Sequence, residues 1–273
     1  MILITGSSGN VGREVVKALT NKNVEFQVAT HRKNQAGVYF NFEDPASMQS
    51  ALTGIKKLFL LRPPHLADAK IYFQPVIDAA KRENVQHIVF LSLLGVEKNP
   101  IVPHAKIERI IEESGIPYTF LRPSFFMQNL ISQHGEELRK EKTIEIPAGK
   151  GKTSFIDVRD IGEVATKVLT EQVHEFKAYS LTGSEALTYY EVADIISKET
   201  KQKIVNTNPS ILKFRKRMIQ KGLKSDYIMV MIGIYTTAKL GLAKRITPDL
   251  LNLLGRSPLT MEEFVRNYKN QIV

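Results

Sequence analysis

The chain has 273 residues, with 38 Lys and Arg against 28 Asp and Glu, and the resulting net charge of +10 points to an anionic partner such as nucleic acid, acidic lipid or a phosphorylated small molecule. It contains no cysteine, which excludes a disulfide scaffold, a thiolate metal site and a cysteine nucleophile. Its 43% hydrophobic and 24% charged residues are globular rather than disordered in character, and no run of about 18 apolar residues predicts a spanning helix.

Residues 1–4 read as a short buried strand rather than a signal peptide, so a soluble cytoplasmic protein is expected. A glycine-rich turn, Gly6-Ser7-Ser8-Gly9-Asn10-Val11-Gly12, leads into a helix with Val11, Val15, Val16 and Leu19 on one face. Strands are predicted at 25–30 and 38–40. Asp44 caps a helix that has Pro45 at its first position. A strand at 57–61 stops at Pro63-Pro64. A helix follows over 67–83, kinked at Pro75, then a strand at 87–92, a helix over 103–114 closed by Gly115, and a strand at 118–121. This alternation predicts an α/β doubly wound parallel sheet covered on both faces. Beyond residue 124 the pattern loosens. Helices are expected at 161–169 (capped by Asp160), 188–200 (with a Thr188-to-Glu191 capping box), most of 209–245, and 261–269, with a short strand at 179–181. Two lobes are predicted. Residues 1–124 with parts of 150–185 form a nucleotide-binding core, and 125–149 with 186–273 form a smaller, mostly helical lobe.

The glycine turn follows a strand and opens a helix, the context in which backbone N–H groups and a helix N-terminus receive a pyrophosphate. Gly6, Ser7, Ser8, Gly9, Asn10, Val11 and Gly12 are therefore candidate cofactor residues. The end of the second strand discriminates between dinucleotides. A site for NAD offers a carboxylate about 20 residues past the glycines, to hold the ribose 2′-OH. This chain has Thr30-His31-Arg32-Lys33 there. Arg32 can clamp a 2′-phosphate and Lys33 can support it, so NADP(H) is favoured over NAD(H). The competing reading of Arg32 and Lys33 is a solvated turn.

Several stretches together resemble the NmrA-like branch of atypical short-chain dehydrogenases. They are the glycine turn, Gly115-Ile116-Pro117-Tyr118-Thr119 with Arg122-Pro123 and Phe126-Met127-Gln128-Asn129, Phe155-Ile156-Asp157-Val158-Arg159-Asp160, and Leu254-Gly255-Arg256-Ser257-Pro258. The resemblance runs nearly end to end and is weakest over about 200–245. It implies a Rossmann fold, a small C-terminal lobe and a pocket between them. Relatives of this kind include NADPH-dependent quinone, azo-dye and triphenylmethane-dye reductases, and others that bind NAD(P) as redox sensors without evident turnover.

The Tyr-x-x-x-Lys pair of ordinary short-chain dehydrogenases is missing from its helix. Counted back from Ser114-Gly115, His104 stands at the lysine place and Pro100 at the tyrosine place, while Ser92 matches the family's serine. His104 could hold the nicotinamide ribose or the substrate, or relay a proton with an ordinary pKa near ~6.5; equally, it could be a histidine at a helix start. Tyr235-Thr236-Thr237-Ala238-Lys239 has the right spacing but lies far too late, and reads as a chance match. Lys106 is expected in solvent. Without the Tyr–Lys pair, the reaction narrows to hydride transfer onto a conjugated acceptor such as a quinone, azo compound or dye. Phe125, Phe126, Met127 and Asn129, with Phe155 and Tyr235, are the candidate pocket wall. Arg62 follows the fourth strand, where backbone is expected to line the nicotinamide half, and Asn41 stands where relatives contact adenine. Arg122 reads as structural.

Two functions stay open: an NADPH-dependent reductase of aromatic acceptors, and a cofactor-binding sensor without significant turnover. Neither nucleic acid nor membrane is an expected partner, and a monomer or homodimer is expected. The basic run Lys213-Phe214-Arg215-Lys216-Arg217 with Lys221 and Lys224 reads as the solvated face of a helix whose Ile211, Leu212, Phe214, Met218 and Ile219 form a buried stripe. No metal-ligand spacing is present.

Overall fold

The computed structural model of the protein describes residues 1–33 and 35–273. In chain order its elements begin with β1 (Ile2–Ile4), α1 (Asn10–Asn21), β2 (Phe26–Thr30), β3 (Val38–Tyr39), α2 (Pro45–Leu52) and β4 (Lys57–Leu61). Next come α3 (Ala69–Tyr72), α4 (Gln74–Arg82), β5 (His87–Leu91), α5 (Pro103–Ser114), β6 (Tyr118–Pro123), β7 (Phe125–Phe126), α6 (Asn129–Ser132) and α7 (Gly135–Glu141). The middle of the chain holds β8 (Thr143–Ile144), β9 (Lys152–Ile156), α8 (Val158–Thr170), β10 (Lys177–Leu181), β11 (Ala186–Thr188), α9 (Tyr189–Thr200) and β12 (Val205–Asn206). Four helices complete it: α10 (Ile211–Gln220), α11 (Ser225–Lys239), α12 (Asp249–Leu254) and α13 (Met261–Ile272).

These elements form two units. The first comprises Met1–Pro123, Val158–Leu181 and Asp249–Gly255, and the second Ser124–Asp157, Thr182–Pro248 and Arg256–Val273. The first unit is a seven-stranded sheet in the order β10-β6-β5-β4-β1-β2-β3, with every pairing parallel. Successive strand side chains point to opposite faces. Leu3, Leu58, Leu60, Ile88, Phe90 and Phe120 pack in one core with α2, α4 and α5, whereas their neighbours Ile4, Phe59, Val89 and Leu121, equally buried, point the other way. On that side α1 packs on α8. Burial on both faces explains why these strands read as unbroken apolar runs, and the reversal of strand order beside β1 makes this a Rossmann sheet.

Local signals set most helix ends. Asp44 accepts the N–H of Ser47 and starts α2, as the sequence predicts. The helix expected over 67–83 is instead two. Pro75 lacks an N–H and can enter only a first turn, so α4 starts at Gln74 and α3 ends before it. The helix expected from 161 starts at Val158, so Asp160 lies buried within its first turn rather than capping it. Residues 249–254 sit with the first unit, where the Asp249 carboxylate accepts the Ser180 N–H at 2.7 Å and α12 packs on α8 and β10.

The second unit holds two small sheets, β11-β9-β7 and β12-β8, surrounded by helices. The predicted helical stretch over 209–245 is two helices, α10 and α11, broken where Gly222 adopts a φ of +80°. The Thr188–Glu191 capping box is present, and a second one, Thr260–Glu263, starts α13.

Each unit buries a neutral histidine. Thr119 Oγ1 donates to the His174 carbonyl at 2.5 Å, so its contact with His87 Nε2 at 2.9 Å takes the ring proton of His87. Burial, and then the charges of Lys57 and His174, push the His87 pKa down to about 4. Burial likewise pushes His134 down to about 4. Folded values below the unfolded ~6.5 mean that the unfolded chain binds more protons between those limits. Stability is therefore complete above about pH 6.5 and falls as the pH drops toward 4, by about 1.4 kcal/mol per pH unit for each histidine. Urea unfolding across this range should show that slope, and His87→Gln should flatten it; an unchanged slope would remove His87 from the account.

Candidate functional site

Ligands of doubly wound sheets lie beyond the carboxyl ends of the strands where the order reverses, here beyond β1 and β4. Thr5 fastens these two ends together. Its hydroxyl donates to the Phe59 carbonyl at 3.1 Å and accepts the Leu61 N–H at 2.8 Å. The chain then turns through Gly6, whose φ of +64° suits a residue without Cβ. The Gly9 N–H closes the turn on the Gly6 carbonyl at 3.0 Å. A Cβ on Gly12 would stand 2.1 Å from that same oxygen, so α1 can lie this close to the turn only with glycine there. Gly9 is different. A Cβ on it would meet only the Gly6 oxygen at 3.4 Å, an ordinary contact, so packing does not require its glycine. Gly9 is also the N-cap of α1, and no side chain caps that helix. The first-turn N–H groups are left for an outside acceptor, with the positive end of the helix dipole behind them. Gly6, Ser8 and Gly9 are exposed, Ser7 and Asn10 half-buried, and Val11 and Gly12 buried.

Past β2, Arg32 and Lys33 are exposed. The Arg32 N–H rests on Thr30 Oγ1 at 3.3 Å, and its guanidinium pairs with no carboxylate among the described residues. Lys33 Nζ sits 5.2 Å from the centre of the Tyr39 ring. Asn41 is tied into a local turn. Its side-chain oxygen accepts the Glu43 N–H at 3.0 Å, and its backbone N–H and carbonyl both meet the Ser47 hydroxyl. Only its amide NH2 group remains for a ligand.

At the ends of β4 and β5 the structure brings together Arg62 and His104, a pairing that no sequence spacing announces. Arg62 Nη1 donates to the carbonyls of Pro63, Pro64 and Leu66 at 3.1, 3.0 and 2.9 Å, and Nε points at His104 Nε2 at 3.4 Å. His104 Nε2 therefore acts as an acceptor, which leaves the ring proton on Nδ1. Burial, and then the charge of Arg62, lower the His104 pKa to about 3. Of the roles left open for this histidine, a proton relay does not suit these values: at neutral pH it is an uncharged hydrogen-bonding group. Ser92 is buried, with its N–H on the Leu121 carbonyl at 2.8 Å, and its hydroxyl has no partner among the described residues. Lys106 and Pro100 are exposed. Arg122 is held by Glu108 through two contacts of 3.0 and 2.6 Å, a structural clamp of α5 onto β6.

The residues expected on the acceptor side belong to the second unit. Phe125 and Phe126 are half-buried in β7, paired with Phe155 and Ile156 of β9, and Asn129 is half-buried at the start of α6. Met127, Phe155 and Tyr235 are 3%, 2% and 1% exposed. The expected place of Phe155 and Tyr235 on an open wall is thus corrected to the core of this unit, where tightly packed rings surround them. Phe155 and Met127 line a cavity of about 10 Å³, room for no more than a water. The Tyr235 hydroxyl lies 2.7 Å from His134 Nε2, and burial holds its pKa well above the usual value. The Tyr235–Lys239 spacing is therefore no proton-donating pair.

The basic run also needs correcting. Arg217 binds Glu145 at 2.8 Å as well as Glu141, and Lys221 binds the buried Glu137 at 2.5 Å, so these two cations anchor α10 rather than face solvent. Of the predicted apolar stripe only Phe214 and Met218 are buried; Ile211, Leu212 and Ile219 are exposed. Among the described residues no cluster of side chains could hold a metal, and no helix is long and apolar enough to cross a membrane.

Comparison with known proteins agrees with this geometry. The profile of the NmrA-like family matches residues 1–265. An uncharacterized oxidoreductase of Bacillus subtilis, YesF, is 32% identical over 268 residues, covering 96% of this chain and 93% of its own. An NAD(P)H azoreductase of Xenophilus azovorans is 29% identical, covering 97% of each chain. The crystal structure of an NADPH-dependent quinone oxidoreductase from Escherichia coli, complexed with NADPH, superposes with a TM-score of 0.88 at 26% identity, covering 99% of this chain and 100% of that one.

The turn geometry separates its glycines by stability. Gly12→Ala should cost about 2 kcal/mol or more, because the alanine methyl drives into the Gly6 carbonyl. Gly9→Ala, at a φ of −79°, should change stability by less than about 1 kcal/mol. Denaturant melts of both variants without ligand would show this, and equal losses would contradict the assignment.

Proposed function

The chain belongs to the NmrA-like family of Rossmann-fold proteins, and from that premise we propose that it is an NAD(P)H-dependent reductase of flat, conjugated acceptors, with NADPH preferred. The observation that carries the proposal is the glycine turn at the switch point. Its central glycine is not required by packing, its helix is uncapped, and its exposed backbone faces outward. A pyrophosphate fits such a cradle. Azoreductase and quinone oxidoreductase relatives that span nearly the whole chain support the same reading.

In this reading Gly6 to Gly12 hold the pyrophosphate through backbone N–H groups. Arg32, with Lys33, holds a 2′-phosphate, and the absence of an acid in Thr30-His31-Arg32-Lys33 leaves nothing to repel it. The Asn41 amide NH2 faces the base. Ser92 and the Nδ1–H of His104 supply neutral hydrogen bonds to the nicotinamide end, and Arg62 fixes the His104 ring. When bound, the dihydronicotinamide supplies a hydride. Phe125, Phe126 and Asn129, half-buried in the second unit, are apolar and amide groups of the kind that suit an aromatic acceptor.

The candidate acids at the nicotinamide end deliver no proton at neutral pH. His104 is neutral, Tyr235 is locked in the core and Lys106 lies in solvent. Such a site favours acceptors that delocalise the incoming charge. A quinone or azo group gains the hydride from the dinucleotide and its proton from water, whereas an isolated carbonyl would need an acid at its oxygen. The same lack of acid favours the second reading, a sensor that binds NADPH and responds through a partner or its oligomeric state.

NADPH oxidation with a panel of quinones and azo dyes decides between these readings. Turnover supports the reductase, and tight binding without turnover supports the sensor. Arg32→Ala should raise the Kd for NADPH by about 30-fold, as expected for a lost charged hydrogen bond, and barely change that for NADH. Equal losses for both cofactors would overturn the preference. Gly9→Ala should weaken both cofactors at nearly unchanged stability.

A further inference from the structure

We propose that the segment 211–246 is a docking surface for an anionic lipid bilayer. It contains nine Lys or Arg and one acid, Asp226, a net +8 in a chain of net +10. Two of those cations, Arg217 and Lys221, are neutralised by glutamates of the same unit, and the other seven are exposed. Arg215, Lys216 and Lys224 pair with no carboxylate among the described residues.

The same segment exposes large aliphatic side chains. Helical spacing places Leu212, Arg215, Lys216 and Ile219 in one stripe, opposite the buried Phe214 and Met218. Leu212 is 79% exposed. On α11 a second stripe, Tyr227, Val230 and Ile234, lies away from the buried Ile228, Met231 and Tyr235. Leu240 and Leu242 follow in the next turn, 68% and 71% exposed. Exposed aliphatic residues interleaved with cations, with almost no acid, are the composition of surfaces that lie in the headgroup region of a bilayer.

Charge decides among possible occupants. A second copy of the chain would bring one strongly basic segment against another, and like charges across a two-fold interface cost several kcal/mol. Nucleic acid matches the charge but not the apolar chemistry. Strand binding uses aromatic platforms on which bases stack, and here the exposed apolar residues are mostly Leu, Ile, Val and Met. An anionic bilayer satisfies both, since acyl chains take the aliphatic side chains and lipid phosphates take the cations. The sequence expectation of no membrane partner rested on the absence of a spanning run, which says nothing of peripheral contact.

Flotation of the full chain with vesicles of phosphatidylcholine, or of phosphatidylcholine and phosphatidylglycerol at 7:3, tests the proposal. The protein should float with the anionic vesicles at 0.1 M salt and largely leave them at 0.5 M. Arg215→Gln with Lys216→Gln should weaken partitioning on the order of 30-fold, at about fivefold per removed surface cation. Leu212→Ser with Val230→Ser should weaken it as well, with circular dichroism and NADPH binding unchanged. Equal recovery on neutral and anionic vesicles, no flotation, or wild-type partitioning by either double variant would overturn the proposal. So would a dimer in light scattering that the serine variant dissolves, which would make a second copy the occupant. Tight binding of a random oligonucleotide that survives the serine substitutions would assign the cations to nucleic acid instead.

Discussion

The first turn of α1 reaches the end of β1 only because residue 12 has no side chain, and most of the candidate site depends on that approach. The Gly6 carbonyl is caught between the Gly9 N–H and the Cα of Gly12, and Gly6 itself turns with a left-handed φ. Thr5 holds the strand end against β4 through both atoms of its hydroxyl. These contacts are short-range and spend no side chain on the outer surface of the turn. The helix N-terminus therefore emerges uncapped at the point where the strand order reverses, with its N–H groups directed outward. A capping Ser or Asp at position 9 would stabilise the helix and occupy those same groups. The chain forgoes that stabilisation, as expected where the missing acceptor is a ligand.

Beyond this turn, Arg62 and His104 form a cation beside a neutral donor. Arg62 spends its guanidinium on three backbone carbonyls and still faces His104. Burial of the imidazole, and then the cation fixed beside it, oppose a positive charge on the ring, so it stays neutral. A lysine at the place of His104 would meet the same guanidinium across the same short distance. A neutral histidine at this position is thus consistent with the nearby Arg62, whose N–H it accepts. The unpartnered Ser92 hydroxyl belongs to the same economy of neutral groups.

Legibility in the sequence follows the physics of each element. β1, β4, β5 and β6 are buried on both faces and stand out as apolar runs, and the glycine turn stands out because only glycine fits at residues 6 and 12. Strand β9, Lys-Thr-Ser-Phe-Ile, was not legible. It pairs on both sides within a small sheet, its Thr153 and Ser154 are buried polar residues, and five residues give too few alternations to read. The break at Phe73 between α3 and α4 was legible as a proline but not as a boundary. The Arg62–His104 contact joins residues 42 positions apart through the sheet, and no local pattern encodes such a pair. The Tyr235–Lys239 spacing, read as a chance match, falls on a helix whose core-facing side is mostly aliphatic, with Tyr235 buried among Ile228, Met231 and Ile232.

Helix α10 shows why an apolar count is not a burial prediction. Five apolar residues in ten suggest one wide stripe, yet Phe214 and Met218 alone define the buried direction, and Leu212 and Ile219 fall opposite them. Arg217 and Lys221 settle the rotation. Their ion pairs with Glu145 and the buried Glu137 fix which side of α10 meets the second unit, and rotating the helix to bury Leu212 would strand Glu137 without its cation. Electrostatics inside the unit therefore forces aliphatic residues out, beside the remaining lysines. The charge follows the same division. Outside 211–246 the chain carries a net of only +2, so the basicity of the whole protein is a property of this one surface, with Arg32 and Lys33 a local exception at the nucleotide turn.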